Sequence, residues 1–154
     1  MERVEVIVPD ASIVVKWFIQ EEYYREADRL RLDYVNQVID IAVPNIIYYE
    51  VLNALRYSGI YGEDEINEIG EVLHAYQFLD IPLKGEYLRE SVRTALKYGV
   101  TIYDASYIAI AHIMRAILYT ADEKLISKVN NPSLIKHIRD YRVERPNQTG
   151  YQTT

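Results

Sequence analysis

The sequence contains no cysteine. No disulfide framework, thiolate metal site or cysteine nucleophile can be built from it. Histidine is nearly as scarce, with only His74, His112 and His137, which disfavours a histidine-ligated zinc centre. Long apolar runs are also missing. The most apolar stretch, Ala105 to Leu118, is broken by His112 and Arg115 and falls short of the ~20 residues that span a bilayer. The N-terminus is charged at once, and its run Val6-Ile7-Val8 is too short for a secretory leader. A soluble, cytoplasmic protein is expected. Basic residues are outnumbered, 17 to 23, for a net charge of −6. Binding to nucleic acid through bulk positive charge is thereby disfavoured, so any phosphate must be met by a local patch or a bound cation. No GxGxxG turn, GxxxxGK[ST] loop or GxSxG elbow is present, which weighs against dinucleotide, nucleotide and serine-hydrolase chemistry.

What remains is enough for one domain. The 154 residues are 49% hydrophobic and 26% charged, a balance that excludes disorder. A chain of this length buries roughly 70% of its unfolded surface. Residues 3–8 alternate and are β-branched, and read as a strand stopped by Pro9. Short strands are also expected at 39–43 before Pro44, at 79–81 before Pro82, at 117–119 and at 133–138. Helical spacing marks 11–18, 22–38, 46–57, 63–78, 86–98, 101–115 and 122–129. Gly99 sits where a helix-ending glycine belongs. Strands alternating with helices predict an α/β fold, a three-layer α/β/α sandwich on a mainly parallel sheet. Residues 1–143 form the expected domain, and 144–154 an expected polar tail.

The chemistry-bearing residues are acids at strand ends and helix starts. Asp10 directly follows the first strand, and Asp122 follows the strand at 117–119. Glu50 lies on the helix after the second strand, and Asp104 opens the apolar helix. Ligands of an open α/β sheet sit outside the carboxyl ends of its strands, which is where Asp10 and Asp122 are placed, and helix starts converging on the same edge bring Asp104 near. Oxygen donors without histidine or cysteine suit a hard cation such as Mg²⁺ or Mn²⁺. Each acid also has a plain structural reading. Asp10 and Asp122 fit as helix N-caps, Thr101-x-x-Asp104 is a capping-box pattern, and Glu50 alone reads as a solvated helix residue.

Four segments carry a resemblance: Asp10-Ala11-Ser12-x-x-x-Lys16-Trp17-Phe18, Glu50-x-x-Asn53, Tyr103-Asp104-Ala105 and Thr120-x-Asp122-x-x-Leu125. Together and in this order, over about residues 4–140, they resemble the PIN domain, and within it the VapC-type toxin ribonucleases. The resemblance implies a Mg²⁺- or Mn²⁺-dependent endoribonuclease with Asp10, Glu50, Asp104 and Asp122 as its catalytic and metal-binding quartet. It makes Ser12, Asn53 and Thr120 supporting residues. It further implies an RNA substrate, a small antitoxin partner and a homodimer.

Lys16, Arg56, Lys124 and Lys128 flank the acidic segments and are candidates for phosphate contacts, although solvated helix faces explain them equally well. Tyr48, Tyr49, Tyr103 and Tyr107 read as core aromatics before base-stacking ones, and His112 as a packed side chain. The stripe Ile66, Ile69, Leu73 and Tyr76 is expected to exceed what the sheet needs, leaving a face for a second copy. Two alternatives are open: a PIN-like scaffold that binds without cutting, and a receiver-type signalling domain with a phospho-accepting aspartate.

Overall fold

The β-branched runs become five strands in a computed structural model of the chain, which describes residues 4–141. They are β1 (Glu5–Pro9), β2 (Ile39–Pro44), β3 (Leu79–Ile81), β4 (Ile117–Thr120) and β5 (Ile135–His137). Every neighbouring pair is parallel, in the order β3-β2-β1-β4-β5. Pro9 and Pro44 each stand at the last position of a strand, where a missing N–H does least harm to the ladder. Strands covered on both faces read as continuous apolar runs. Accordingly Ile7, Val8, Ile41, Ala42, Val43 and Leu118 are all buried.

Parallel neighbours need crossovers. The helices α1 (Ala11–Val15), α2 (Tyr24–Val35), α3 (Ile46–Ser58), α4 (Glu63–Ala75), α5 (Gly85–Tyr98), α6 (Ile102–Met114) and α7 (Glu123–Val129) supply them. Together they build the expected α/β/α sandwich. α6 packs on β1, β2 and β4, α1 packs on β1 and β4, and α5 lies against α6. The interior of α6, Ala105 to Ala111, is buried without interruption, as expected of a helix that is apolar all round. Among the described residues no helix is long and apolar enough to cross a membrane.

The strand order positions the site. From β1 the chain steps outward through β2 to β3, then returns to the other side of β1 as β4. The reversal between β1 and β4 opens a crevice at their carboxyl ends. This order also removes the receiver alternative, whose strands run 2-1-3-4-5.

Several elements are shorter than their periodicity predicts. The helix expected over 11–18 keeps its α-helical form only to Val15. Lys16, Trp17 and Phe18 then bond three residues back, to Ile13, Val14 and Val15, in the tighter geometry of a 3₁₀ turn. Trp17 is held there by its indole N–H to the Ala27 carbonyl at 2.9 Å. α2 stops at Val35 and not Val38, because Gln37 turns left-handed (φ 60°) and the Val38 N–H closes on the Asp33 carbonyl. Left-handed Gln77 ends α4 in the same way, freeing Phe78 to join an aromatic cluster with Trp17, Tyr34 and Tyr76. β5 spans three residues, since Ile138 enters a 3₁₀ turn capped by the His137 ring nitrogen.

The stripe on α4 is not left over. Leu73 is buried, and Ile69 and Tyr76 pack against the core. His112 is no packed residue either. Its side chain is 62% exposed, 3.8 Å from Glu90 on α5, on the opposite face of the last turn from buried Ala111 and half-buried Met114. The expected boundary at 143 and the tail from 144 lie outside the described residues.

Ile7 sits fully buried in the central strand. Ile7→Ala is expected to lower stability by about 2–5 kcal/mol, measured by urea unfolding with an unchanged m-value.

Candidate active site

Each acid reaches the crevice through a local backbone device. Asp10 is the N-cap of α1 and accepts the Ser12 N–H at 3.0 Å and the Ser12 hydroxyl. The Asp10 N–H bonds the Tyr119 carbonyl, stitching the end of β1 to β4. Asp122 is the N-cap of α7, with its Oδ1 accepting the N–H groups of Lys124 and Leu125. Asp104 lies in the first turn of α6, its N–H held by the Thr101 hydroxyl at 3.1 Å. The N-cap readings of Asp10 and Asp122 are therefore correct, while at α6 the cap is Thr101, and capping coexists with convergence at one edge. Glu50 projects from the first half of α3, where Tyr107 of α6 donates its hydroxyl to Oε1 at 2.7 Å.

Ser12 and Thr120 join the two loops. The Ser12 oxygen donates to Asp10 and accepts the Ala121 N–H at 3.0 Å. Thr120 is fully buried. Its hydroxyl accepts the Asp122 N–H at 3.0 Å and also bonds Asp10.

The acids feel one another. Burial, with smaller contributions from Asp104 and Glu50, pushes the Asp10 carboxyl up to about 6, against hydrogen bonds from Ser12 and Thr120 that favour its charge. Glu50 is raised by burial and by Asp104, opposed by the Tyr107 hydroxyl. Asp104 is raised by burial and by Asp122, opposed by Thr101 and Lys128. Asp104 thus links all four: it acts on Asp10 and Glu50 and is acted on by Asp122. A concentration of carboxylates with elevated pKa values in a crevice marks a functional site.

As donors the residues fit a hard divalent cation: all are carboxylates, with no nitrogen or sulfur among them. Their present side-chain positions do not close a cage. Among the described residues no three acids or histidines are grouped tightly enough to hold an ion.

The other candidates separate. Asn53 is exposed and lies one turn beyond Glu50 on the same face of α3. Lys124 is exposed beside Asp122. Lys16 is buried and its Nζ bonds Glu21 at 3.0 Å, so its charge is already matched within the protein. Arg56 lies at the far end of α3, over the Tyr57 ring at 4.6 Å. Lys128 is the cation whose field reaches Asp104, with its Nζ near the Gly99 carbonyl. Tyr48 is buried and donates to Asp80, whereas Tyr49 and Tyr103 are exposed. The Tyr107–Glu50 bond went unread in the sequence. The available signal was the i, i+3 spacing from Asp104, which puts both side chains on one face of α6.

This geometry has known relatives. The family model of the PIN domain matches residues 7–131. The chain belongs to the PIN domain family. Ribonuclease VapC3 of Pyrobaculum aerophilum is 32% identical over 133 residues, covering 84% of this chain and 97% of that protein. Exonuclease VapC9 of the same organism is 30% identical over 92 residues, 57% of this chain and 66% of that one. A toxin–antitoxin complex from Klebsiella pneumoniae contains a chain of the same fold, with a TM-score of 0.65 at 18% identity, covering 89% of this chain and 99% of that one.

The raised Asp10 carboxyl fixes a pH dependence for this PIN domain. Its folded value of about 6 exceeds the unfolded value of about 4, so folding takes up a proton between those two pH values. Stability therefore falls as pH rises through that window and stays lower above it. Asp10→Asn keeps an acceptor for Ser12 and removes the charge. In EDTA at pH 7 it is expected to raise stability by roughly 2–3 kcal/mol, a gain that vanishes below about pH 4. Denaturant unfolding across pH checks both the size and the window.

Proposed function

We propose that this PIN domain is a VapC-type nuclease that hydrolyses RNA phosphodiester bonds with Mg²⁺ or Mn²⁺ held by Asp10, Glu50, Asp104 and Asp122. The observation that carries the reading is the convergence of these four acids, each raising another's pKa or having its own raised, where the strand order reverses. Like charges held together without a cation oppose folding, and a divalent ion is the partner their chemistry calls for. Such an ion supplies neutralisation of the phosphoryl charge and an activated water. The chain's own part is to fix the donors. Ser12 and Thr120 hold Asp10, the backbone of α7 holds Asp122, and Thr101 anchors the turn that carries Asp104. A carboxylate left free by the ion can take the proton of the attacking water. Lys124 and Lys128 lie on the rim with charge available to a phosphate backbone.

The relative of greater coverage is a ribonuclease and the other is named an exonuclease. We take internal cleavage as the mode, since the acids lie at the carboxyl edge of an open sheet, where a strand can pass without presenting an end. The Klebsiella pneumoniae structure is a toxin–antitoxin complex, and a small antitoxin is the proposed partner here. Purified protein is expected to cut a circular RNA, which offers no ends, with Mg²⁺ or Mn²⁺ and not in EDTA. Asp10→Asn and Asp104→Asn should each lower the rate by more than about 100-fold, beyond the usual loss for a residue that only supports a ligand. Cleavage that survives both EDTA and these changes refutes the metal mechanism, and complete inactivity supports the scaffold reading.

The homodimer is proposed through α5, not α4. Leu88, Val92 and Leu96 are 42%, 42% and 81% exposed at i, i+4 and i+8, a single apolar row. The row borders an apolar pocket that includes Ile46, Leu83, Tyr87 and Ile102. Glu86 lies at one end of α5 and Lys97 at the other, so two antiparallel copies match charge across a two-fold axis. Leu96→Glu should convert a dimer to a monomer in light scattering while leaving the far-UV circular dichroism unchanged.

A further inference from the structure

We infer that Tyr107 is a positioning residue for the hydrolytic site, its hydroxyl tethering the Glu50 carboxylate of α3 to α6, the helix that carries Asp104. The inference rests on the reading of the four acids as one metal-dependent site.

Glu50 projects from the interior of a helix and not from its start, and its carboxylate is partly exposed on a long, flexible side chain. A glutamate in that setting samples many rotamers, and ordering it costs entropy. The carboxylates of Asp10, Asp104 and Asp122 are each bonded within three residues of themselves in sequence, Asp104 by the Thr101 hydroxyl. Glu50 has no such local contact. The hydrogen bond recorded for its side chain comes from Tyr107, 57 residues away, at 2.7 Å.

Tyr107 is built to hold still. It is 2% exposed and lies among the largest fully buried side chains. Its ring belongs to the buried hydrophobic core. A core-locked ring aims its hydroxyl along a fixed direction, and a donor to an ionised acceptor makes one of the stronger hydrogen bonds. Because Asp104 and Tyr107 are three residues apart on α6, the same rigid helix sets one acid directly and a second through the hydroxyl. Supporting groups of this kind orient ligands and, when removed, weaken metal binding by about 10–100-fold. A phenylalanine at 107 would fill the core equally well, so packing alone leaves the hydroxyl unexplained.

The test uses the full chain and Mn²⁺ as the probe, with affinity read by titration calorimetry and RNA cleavage followed in parallel. Tyr107→Phe should weaken Mn²⁺ binding by about tenfold and lower kcat at saturating RNA with KM unchanged. Its metal-free Tm should stay within about 4 °C of wild type. In a Glu50→Ala background, Tyr107→Phe should change Mn²⁺ affinity by less than about twofold, because a residue that acts through Glu50 has nothing left to act on. Mn²⁺ binding by Tyr107→Phe equal to wild type overturns the inference while the hydrolytic reading stands. So does an equal loss with and without Glu50. Wild-type protein that neither binds Mn²⁺ nor cuts RNA overturns the hydrolytic reading and the inference with it.

Discussion

The molecule depends on holding negative charges close together at the place where its sheet reverses order. Carboxylates at one crevice repel, and burial adds to the cost of keeping them ionised, as the raised Asp10, Glu50 and Asp104 show. For Asp10, Glu50 and Asp104 burial and mutual repulsion outweigh the hydrogen bonds and the Lys128 charge that favour ionisation, so their charge opposes folding at neutral pH. The stability that tolerates it comes from the layers behind, where β1, β2 and β4 are buried beneath α6 on one side and α1 and α2 on the other. Central parallel strands buried on both faces form the part of an α/β fold with most apolar area to bury per residue. The acids sit at its rim, where a local penalty is most easily carried.

A second economy lies in the caps. Asp10 and Asp122 each direct an oxygen to backbone N–H groups at a helix start. Those bonds fix the carboxylate's direction and lower the cost of its charge. Structural and chemical readings of a capping aspartate are usually set against each other. Here the cap is the means by which a short loop aims the acid, and a carboxylate has a second oxygen for other work. Ser12 extends the logic by bonding Asp10 and the Ala121 backbone together, so the loops after β1 and β4 move as one.

The PIN domain of this chain separates its duties by layer. α6 is sealed in the core and supplies Asp104 and Tyr107 from one face. α5 covers α6 and turns an apolar row outward. α3 and α4 form a helical pair closed by Leu73, Ile69 and the aromatic cluster around Trp17. The α4 stripe looked surplus in the sequence because its spacing is that of any amphipathic helix. Whether such a stripe meets the same chain or another copy depends on what lies opposite, and here α3 does.

Much of the molecule was legible in the sequence. Strand positions followed from β-branched runs ended by Pro9, Pro44 and Pro82, and the helices from their apolar period. Alternation of the two implied the parallel sandwich, and strand-end acids without histidine or cysteine implied an oxygen-donor site. These are local properties, set by neighbours within a few residues, and they survive without knowledge of the fold. Helix ends were less legible. The left-handed turns at Gln37 and Gln77 are made by residues with no special preference for them, and packing of Tyr34 and Phe78 decided them. Only the tertiary structure placed β4 beside β1 and excluded the 2-1-3-4-5 order. It alone paired Lys16 with Glu21, exposed His112 and turned Tyr107 from a core ring into a donor to Glu50. Apart from the Lys16–Glu21 pair, which closes over five residues, these features depend on which elements stand opposite one another, a long-range property that the local pattern along the chain does not encode.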